Sequence, residues 1–400
     1  MSKGKKLALY IKNKDLINKI KKIISSNKIS VEIIVIHNID DLEVIDKKNI
    51  DYVLIDQGIE GENFQDILQS ISHYSYVVRI LIADKWTQEL VIQSNFLVHL
   101  ILEKAVLHDD LISLLKRAQS MSNLLKEDEL VKIVNSFDKI PSLKNNYLEI
   151  LHHLKCSDSS LKKVAELIEN DIVLTAKVLQ ISNMSIYART SKAASVKQAV
   201  VFLGVNILRA LIVHIQVFSF KSGNSHIYSY LNMLEKHSMK VAEYSRAFAA
   251  ALNMSRTVQD DSFTAGLLHD IGKFILVNSH DKWHNINKSA HENNMQIFQA
   301  EEIELQTTHA EIGGYLLGLW GFSAEIIDAV VYHHQPFKQE NRTISATTFV
   351  HIAEALISKD KINDKIAFLE KLDTEYLESL CIKNQVIGVF DEMLTIEGEI

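Results

Sequence analysis

The chain has 400 residues, 47% of them hydrophobic and 23% charged, enough for two or three buried cores at roughly 150 residues per domain. Only 2 prolines and 13 glycines occur, where average usage would give roughly 20 and 28, so long helices dominate and all-β or collagen-like folds are excluded. The 43 Lys plus Arg against 50 Asp plus Glu leave a formal net charge of -7, which argues against general attraction to nucleic acid or to an anionic membrane surface.

The N-terminus, MSKGKKLALYIKNK, has the positive start of a signal peptide, but its apolar run from Leu7 to Ile11 is too short for export and lysines follow at once. Up to about residue 120, short apolar runs alternate with helical stretches: LALYI, a helix over 15–24, VEIIVI, a helix over 41–48, YVLID, a helix over 64–71, VVRILIA and VHLILE. Five near-continuous Val/Ile/Leu strands separated by helices predict an α/β domain over 1–120, with a parallel five-stranded sheet whose ligands sit at strand C-termini. The stretch LLKEDELVKIV, without Gly or Pro, predicts a helical linker over 121–135. Beyond it the period is helical: an all-α domain over 136–358, then a helical tail over 359–400 expected to cover the core. Leu161, Val164, Ala165, Leu167 and Ile168 share a helical face behind the cap candidates Asp158 and Ser159. The most apolar helical stretch, ILRALIVHIQVF from Ile207, is interrupted by Arg209, His214 and Gln216 and falls short of a membrane span. Cys156 and Cys381 form no Cys-x-x-Cys pair, which fits a reducing cytoplasm and neither a disulfide framework nor a cysteine zinc site.

Asp56, ending the YVLID strand, and Lys104, just after VHLILE, stand at strand ends where a carboxylate and an ammonium can meet. This arrangement resembles a response-regulator receiver domain. In that family the aspartate after the third strand accepts a phosphoryl group, paired acids after the first strand hold magnesium, and a lysine after the fifth binds the phosphoryl oxygens. Here Lys12, Asn13 and Lys14 stand where the acids belong, and Ile82 and Ala83 replace the usual hydroxyl residue and alanine. The resemblance therefore implies a degenerate receiver with no magnesium site, in which Asp56 is a poor phosphoacceptor paired with Lys104 or Lys12. Dimerisation or protein docking is its expected role.

The helical half holds the chemistry. His237, the adjacent His269 and Asp270, His309, the adjacent His333 and His334, and His351 with Glu354 fall on successive predicted helices. Imidazoles and carboxylates from separate helices can converge and ligate divalent metal, which activates water toward a phosphoester. Lys273, one turn after Asp270, reaches a phosphate oxygen in that arrangement. Together with the block SDSSLKKVAELIENDIVLTAKVLQISNMSIYART and SVKQAVVFLGVNILRALIV, these segments resemble the HD-related output domain (HDOD) of the HD superfamily, over roughly 132–354.

Carried over residue by residue, the superfamily's metal positions fall on His237, His269, Asp270, His309, His333 or His334, and Glu354, with iron, manganese or zinc as the metal. Glu354 replaces an aspartate. Gln335, Pro336 and Phe337 follow His334, so the Gly-Tyr-Pro loop of the HD-GYP phosphodiesterases is absent, and Asp171-Ile172 replaces the usual Asp-Pro. The resemblance implies bacterial signalling output, through contacts with other signalling proteins or a second copy of the chain. The alternative is a metal-dependent phosphohydrolase acting on a nucleotide or cyclic nucleotide, with Asp270 and Lys273 catalytic. Other features carry less. His280 and His284 are expected in solvent, the lysines at 3, 5, 6, 12, 14, 19, 21 and 22 form a solvated face without interleaved aromatics, and Gly204 and Gly266 read as close-packing points or turns.

Overall fold

The computed structural model describes residues 5–59, 64–74, 76–84, 97–124, 130, 145–155, 161–184, 193, 195–218, 225–278, 280–340, 342–357 and 365–397. Packing divides the chain into two compact units, Met1–Ser136 with Gly314–Ile327, and Phe137–Gly313 with Asp328–Ile400. Residues 125–129 and 131–135 of the expected linker, the cap candidates Asp158 and Ser159, Cys156 and Lys3 lie outside the described residues.

The first unit runs β1 (Lys5–Tyr10), α1 (Lys14–Ser26), β2 (Val31–Ile36), α2 (Val44–Lys48), β3 (Tyr52–Asp56), α3 (Phe64–Ser72), β4 (Val78–Ala83), β5 (Leu100–Glu103) and α4 (Leu107–Leu124). The five strands are all parallel in the order β2-β1-β3-β4-β5, the flavodoxin-like doubly wound order, consistent with a receiver-like domain. Every residue of β3 and β4 is buried, as continuous apolar strands covered on both faces require. The helix expected over 41–48 divides into a 3-10 turn, Ile39–Glu43, and the short α2. Asn13, which stands where a receiver carries acid, caps α1 instead: its Oδ1 accepts from the backbone N–H of Asp15 (2.9 Å) and Leu16 (3.1 Å).

From residue 145 the described chain is helical: α5 (Asn145–Lys155), α6 (Leu161–Glu169), α7 (Ile172–Ser182), α8 (Val196–Phe218), α9 (Ser225–Ala251), α10 (Arg256–Leu268), α11 (Ile271–Asn278), α12 (His280–Glu292), α13 (Ile297–Leu305), α14 (His309–Leu319), α15 (Ala324–Tyr332), α16 (Ala346–Ile357), α17 (Lys365–Lys371), α18 (Thr374–Ser379) and α19 (Lys383–Glu397). On α6 the residues Val164, Ala165 and Ile168 are buried, but Leu161, at the end of the stripe, stays 41% exposed.

The helix α8 is 23 residues long and, by length and composition, apolar enough to cross a membrane. This is longer than the interruptions at Arg209, His214 and Gln216 suggest. Buried residues make up 61% of its most apolar window, the pattern of a core helix. Gly204 kinks it at φ 78. Nothing lies within 4 Å of the place its Cβ would take, so glycine serves there for its backbone freedom and not for close packing. Gly266 is the opposite case, its Cβ position lying 2.8 Å from Ala242 Cα on α9.

The tail covers the core as expected, seating Phe368, Tyr376, Val386 and Phe390 against Phe349 and Ile352 of α16. Tyr376 and Thr348 share a hydroxyl hydrogen bond of 2.7 Å. The Asp373 backbone N–H donates to His351 Nε2 at 2.8 Å. Both contacts pin α16, the helix that carries Glu354.

Candidate metal centre

The seven candidates His237, His269, Asp270, His309, His333, His334 and Glu354 meet inside the second unit. His237 projects from α9, His269 and Asp270 form the α10–α11 junction, and Lys273 follows on α11. His309 opens α14, His333 and His334 follow α15, and Glu354 lies on α16. The junction can sit this close to α14 because residue 272 is glycine: a Cβ there would stand 1.9 Å from the His309 carbonyl oxygen. After α15 the chain turns at Gln335, whose φ of -135 breaks the helix before Pro336.

The ligand atoms form two groups. Asp270, His309, His333 and His334 offer atoms within 4.8 Å of one another, and His237, His269 and Glu354 do the same. Asp270 faces both groups. Its Oδ1 lies 3.2 Å from His309 Nε2 and 4.0 Å from His333 Nε2, and its Oδ2 lies 3.3 Å from His269 Nε2 and 3.7 Å from His237 Nε2. The longer Glu354 side chain reaches the centre, with Oε2 at 2.9 Å from His237 Nε2 and 3.4 Å from His269 Nε2.

Three rings are aimed by their outer nitrogens. Nδ1 of His269 donates to the Gly266 carbonyl (2.7 Å), that of His333 to the Val330 carbonyl (2.6 Å) and that of His309 to Glu301 Oε2 (2.6 Å). Each Nε2 is thereby turned inward, the orientation that outer partners impose on ligating histidines. At the centre, His269 Nε2, His333 Nε2, Asp270 Oδ1 and Glu354 Oε2 are buried with no well-formed hydrogen bond, their nearest polar neighbours being the other candidate ligands. Buried polar atoms of this kind are costly when their hydrogen bonds are poorly formed. Imidazoles and carboxylates in these numbers suit iron, manganese or zinc.

Burial, which alone would raise the Asp270 carboxyl, is outweighed by the charges of His269 and Lys273, and it is held well below the usual range. Burial would depress His269, but Asp270 and Glu354 push it up to about 10. His333 and His334 are held well below their ordinary value by burial and by neighbouring rings, neutral and ready to ligate. Against burial, Asp270 holds Lys273 above the usual lysine range, so the ammonium stays charged.

One consequence is proton release. His269 carries a proton at neutral pH in the metal-free protein, and a metal ion must displace it. Its pairing stabilises the metal-free fold fully below the ordinary value of 6.5 and loses that effect as pH rises through about 10. Metal affinity is therefore expected to fall as pH falls, with about one proton or more released per chain on loading. Calorimetry in buffers of differing ionisation enthalpy measures it, and uptake without proton release would contradict it.

Glu301 is the functional residue that sequence reasoning missed. It is fully buried on α13, and its Oε2 accepts from both the backbone N–H (2.8 Å) and Nδ1 (2.6 Å) of His309. Its signal is a carboxylate in phase with Phe298 and Leu305, which are buried, inside a run of acids that otherwise reads as solvated. Glu301→Gln is expected to weaken metal binding by about 10- to 100-fold while the protein stays folded. A metal titration followed beside circular dichroism checks it.

The remaining candidates lie elsewhere. His351 uses both nitrogens structurally, Nδ1 donating to the His333 carbonyl at 2.9 Å and Nε2 accepting from Asp373. His284 is exposed, the His280 side chain lies outside the described residues, and Lys12, Lys14, Lys19, Lys21 and Lys22 are exposed. In the first unit, Lys104 Nζ lies 2.8 Å from both Asp56 Oδ1 and Asp84 Oδ1. Asp56 is 3% exposed and also accepts from the Gly58 N–H at 3.1 Å.

Comparison with known proteins places residues 140–336 in agreement with the HDOD domain family. Ribonuclease Y of Deinococcus radiodurans is 26% identical over 148 residues, 36% of this chain and 21% of that protein, so the chain spans about a fifth of this relative's length. An HDOD protein of unknown function from Geobacter sulfurreducens is 22% identical, covering 66% of this chain and 96% of that one, with a TM-score of 0.46. A Shewanella amazonensis protein provisionally named a metal-dependent phosphohydrolase is 19% identical over 68% of this chain and 94% of its own, with a TM-score of 0.49.

Proposed function

Residues 140–336 of this chain are an HDOD domain, and we propose that it works as a metal-dependent phosphohydrolase of the HD type. The observation that carries the reading is the shared carboxylate of Asp270, fully buried between two groups of inward-facing ligand atoms that meet one another rather than the rest of the protein. His237, His269 and Glu354 would hold one ion, His309, His333 and His334 a second, and Asp270 both. Bound there, divalent metal would neutralise charge on a phosphoester and activate water at neutral pH.

The chain's own groups supply the rest. Lys273, 2.7 Å from Asp270 Oδ2 and 13% exposed, brings a permanent positive charge to a non-bridging phosphate oxygen, where charge develops during the displacement. Glu301 fixes the His309 ring. His237, 21% exposed, stands on the accessible side, while His269, His309 and Asp270 are fully buried and keep water from the rear. A phosphodiester fits this chemistry and the name of the ribonuclease Y relative. The net charge of -7 favours a small substrate over a long polyanion.

The N-terminal domain is assigned control and docking, with signalling proteins or a second copy as its partners. Lys104 neutralises Asp56 and Asp84 together, leaving Asp56 a weak nucleophile toward a phosphoryl donor. The sequence alone favours output through protein contacts. A ligand set this complete, gathered round one buried carboxylate, favours catalysis.

Lys273→Met tests the assignment. Metal-loaded protein is expected to hydrolyse bis(p-nitrophenyl) phosphate, and the variant to lose about 10²- to 10³-fold in kcat/KM with its metal content unchanged. Equal turnover by both proteins would overturn the role of Lys273, and no turnover by the loaded wild type would overturn the enzyme reading.

A further inference from the structure

Two apolar runs of the first unit each carry one basic residue, Arg79 in VVRILIA and His99 at the start of VHLILE. The parallel register that sets Ile80 beside Leu100 also sets Arg79 beside His99, at the amino ends of β4 and β5. Asp56 and Lys104 stand at the other, carboxyl end of the sheet. Arg79 is 7% exposed and His99 3%, and a guanidinium buried to that degree needs a counter-charge. Among the described residues no carboxylate pairs with it.

The hydrogen bonds leave this pair short of an acceptor. The Arg79 backbone N–H donates to His99 Nδ1 at 2.8 Å, so the single proton of a neutral ring sits on Nε2. Burial and the neighbouring guanidinium hold His99 well below its ordinary value, which keeps the ring neutral. Its Nε2 then faces Arg79 Nη2 at 3.3 Å as donor against donor. Arg79 Nε is already committed to the Leu97 carbonyl, and Nη1 finds no partner. Three donors, Nη1, Nη2 and Nε2, therefore gather with no acceptor between them. Tyr315, which belongs to the same compact unit and is 4% exposed, sets its ring edge-on to His99 at 6.1 Å and shields that side.

We infer that Arg79 and His99 form an anion site in the N-terminal domain, and that its ligand is a small free carboxylate. Charge sets the class: one permanent cation balances one negative charge, whereas a dianion such as a phosphate monoester would keep a buried excess. The fork of Nη1 and Nη2 matches the two oxygens of a carboxylate, and His99 Nε2–H donates to one of them. Burial on this scale favours a free acid over the side chain of a docked protein, which brings its backbone with it. The site does not depend on the phosphohydrolase reading. It gives a domain whose Asp56 is already paired with Lys104 a chemical input other than phosphorylation.

The test is a calorimetric titration of the full chain, treated with chelator so that no metal binds the probe, with acetate and with sulfate at constant ionic strength. Acetate is expected to bind at one site per chain, about tenfold or more tightly than sulfate. Arg79→Lys keeps the charge and loses the fork, and is expected to bind acetate about tenfold or more weakly with its circular dichroism spectrum unchanged. Melting of the wild type needs no variant: Tm is expected to rise with acetate concentration, as for any ligand bound by the folded state alone, and not with sulfate. No saturable binding of acetate, sulfate bound as tightly, or unchanged acetate affinity in folded Arg79→Lys would overturn the site. A glutamate-containing hexapeptide that binds as tightly as acetate would overturn the free acid in favour of a partner's side chain.

Discussion

Asp270→Asn is expected to empty both ligand groups at once, with metal content falling below about a tenth of the wild-type value and hydrolysis falling with it. The side chain keeps its shape, but the amide presents one weak acceptor where the carboxylate presents two charged oxygens, each facing three to four ångströms of ligand nitrogens. Lys273 also loses the partner at 2.7 Å, and breaking a buried pair from one side costs about 3 to 5 kcal/mol. The metal-free variant should therefore unfold earlier than the metal-free wild type. His237→Ala makes the contrast. His237 belongs to one group only and is partly exposed, so that variant is expected to keep the ion at His309, His333 and His334. Loss of all metal in His237→Ala with half of it retained in Asp270→Asn would reverse the assignment of the shared residue.

Gly272→Ala is expected to be the most damaging single methyl in the helical unit. Its Cβ would lie 1.9 Å from the His309 carbonyl oxygen and 2.9 Å from the Gly313 backbone N. Both are main-chain atoms that cannot rotate away, so α11 and α14 must separate. Overpacking at this severity reaches the upper end of its usual cost, about 3 kcal/mol, or about 6 to 12 °C in Tm for a unit of this size. Because His309 is displaced with its backbone, metal affinity falls in the same variant. Calorimetric melting and a metal titration measure both, and a Tm within about 2 °C of wild type would show that the helices separate freely.

The parallel sheet was legible because β3 and β4 are buried along their whole length and so read as apolar runs, broken only by Arg79 and the closing Asp56. The candidate ligands were legible as residues because His269-Asp270 and His333-His334 are adjacent pairs at the ends of otherwise apolar helices. Their division into two groups around Asp270 was not, since it depends on side-chain directions from five separate helices or their ends. Glu301 was hidden by its neighbours: Glu302 is exposed on the same helix, and only the phase with Phe298 and Leu305 separates the two. Gly272 gave no signal of its own in the sequence, because its role is a clearance of less than one methyl group between two backbones. The α8 helix shows the converse error, since a polar residue every few positions does not shorten a helix whose Arg209, His214 and Gln216 can be placed at its edges or against other side chains.

The most direct measurement is the metal content of the untagged full chain by plasma mass spectrometry after loading with iron, manganese and zinc in turn and removal of free ion. Two shared ligand groups predict about two ions per chain, lost on exposure to a strong chelator and regained on reloading. Folded protein that retains no metal under any of the three conditions would contradict a metal centre at Asp270 and leave the inward-facing histidines as packing residues.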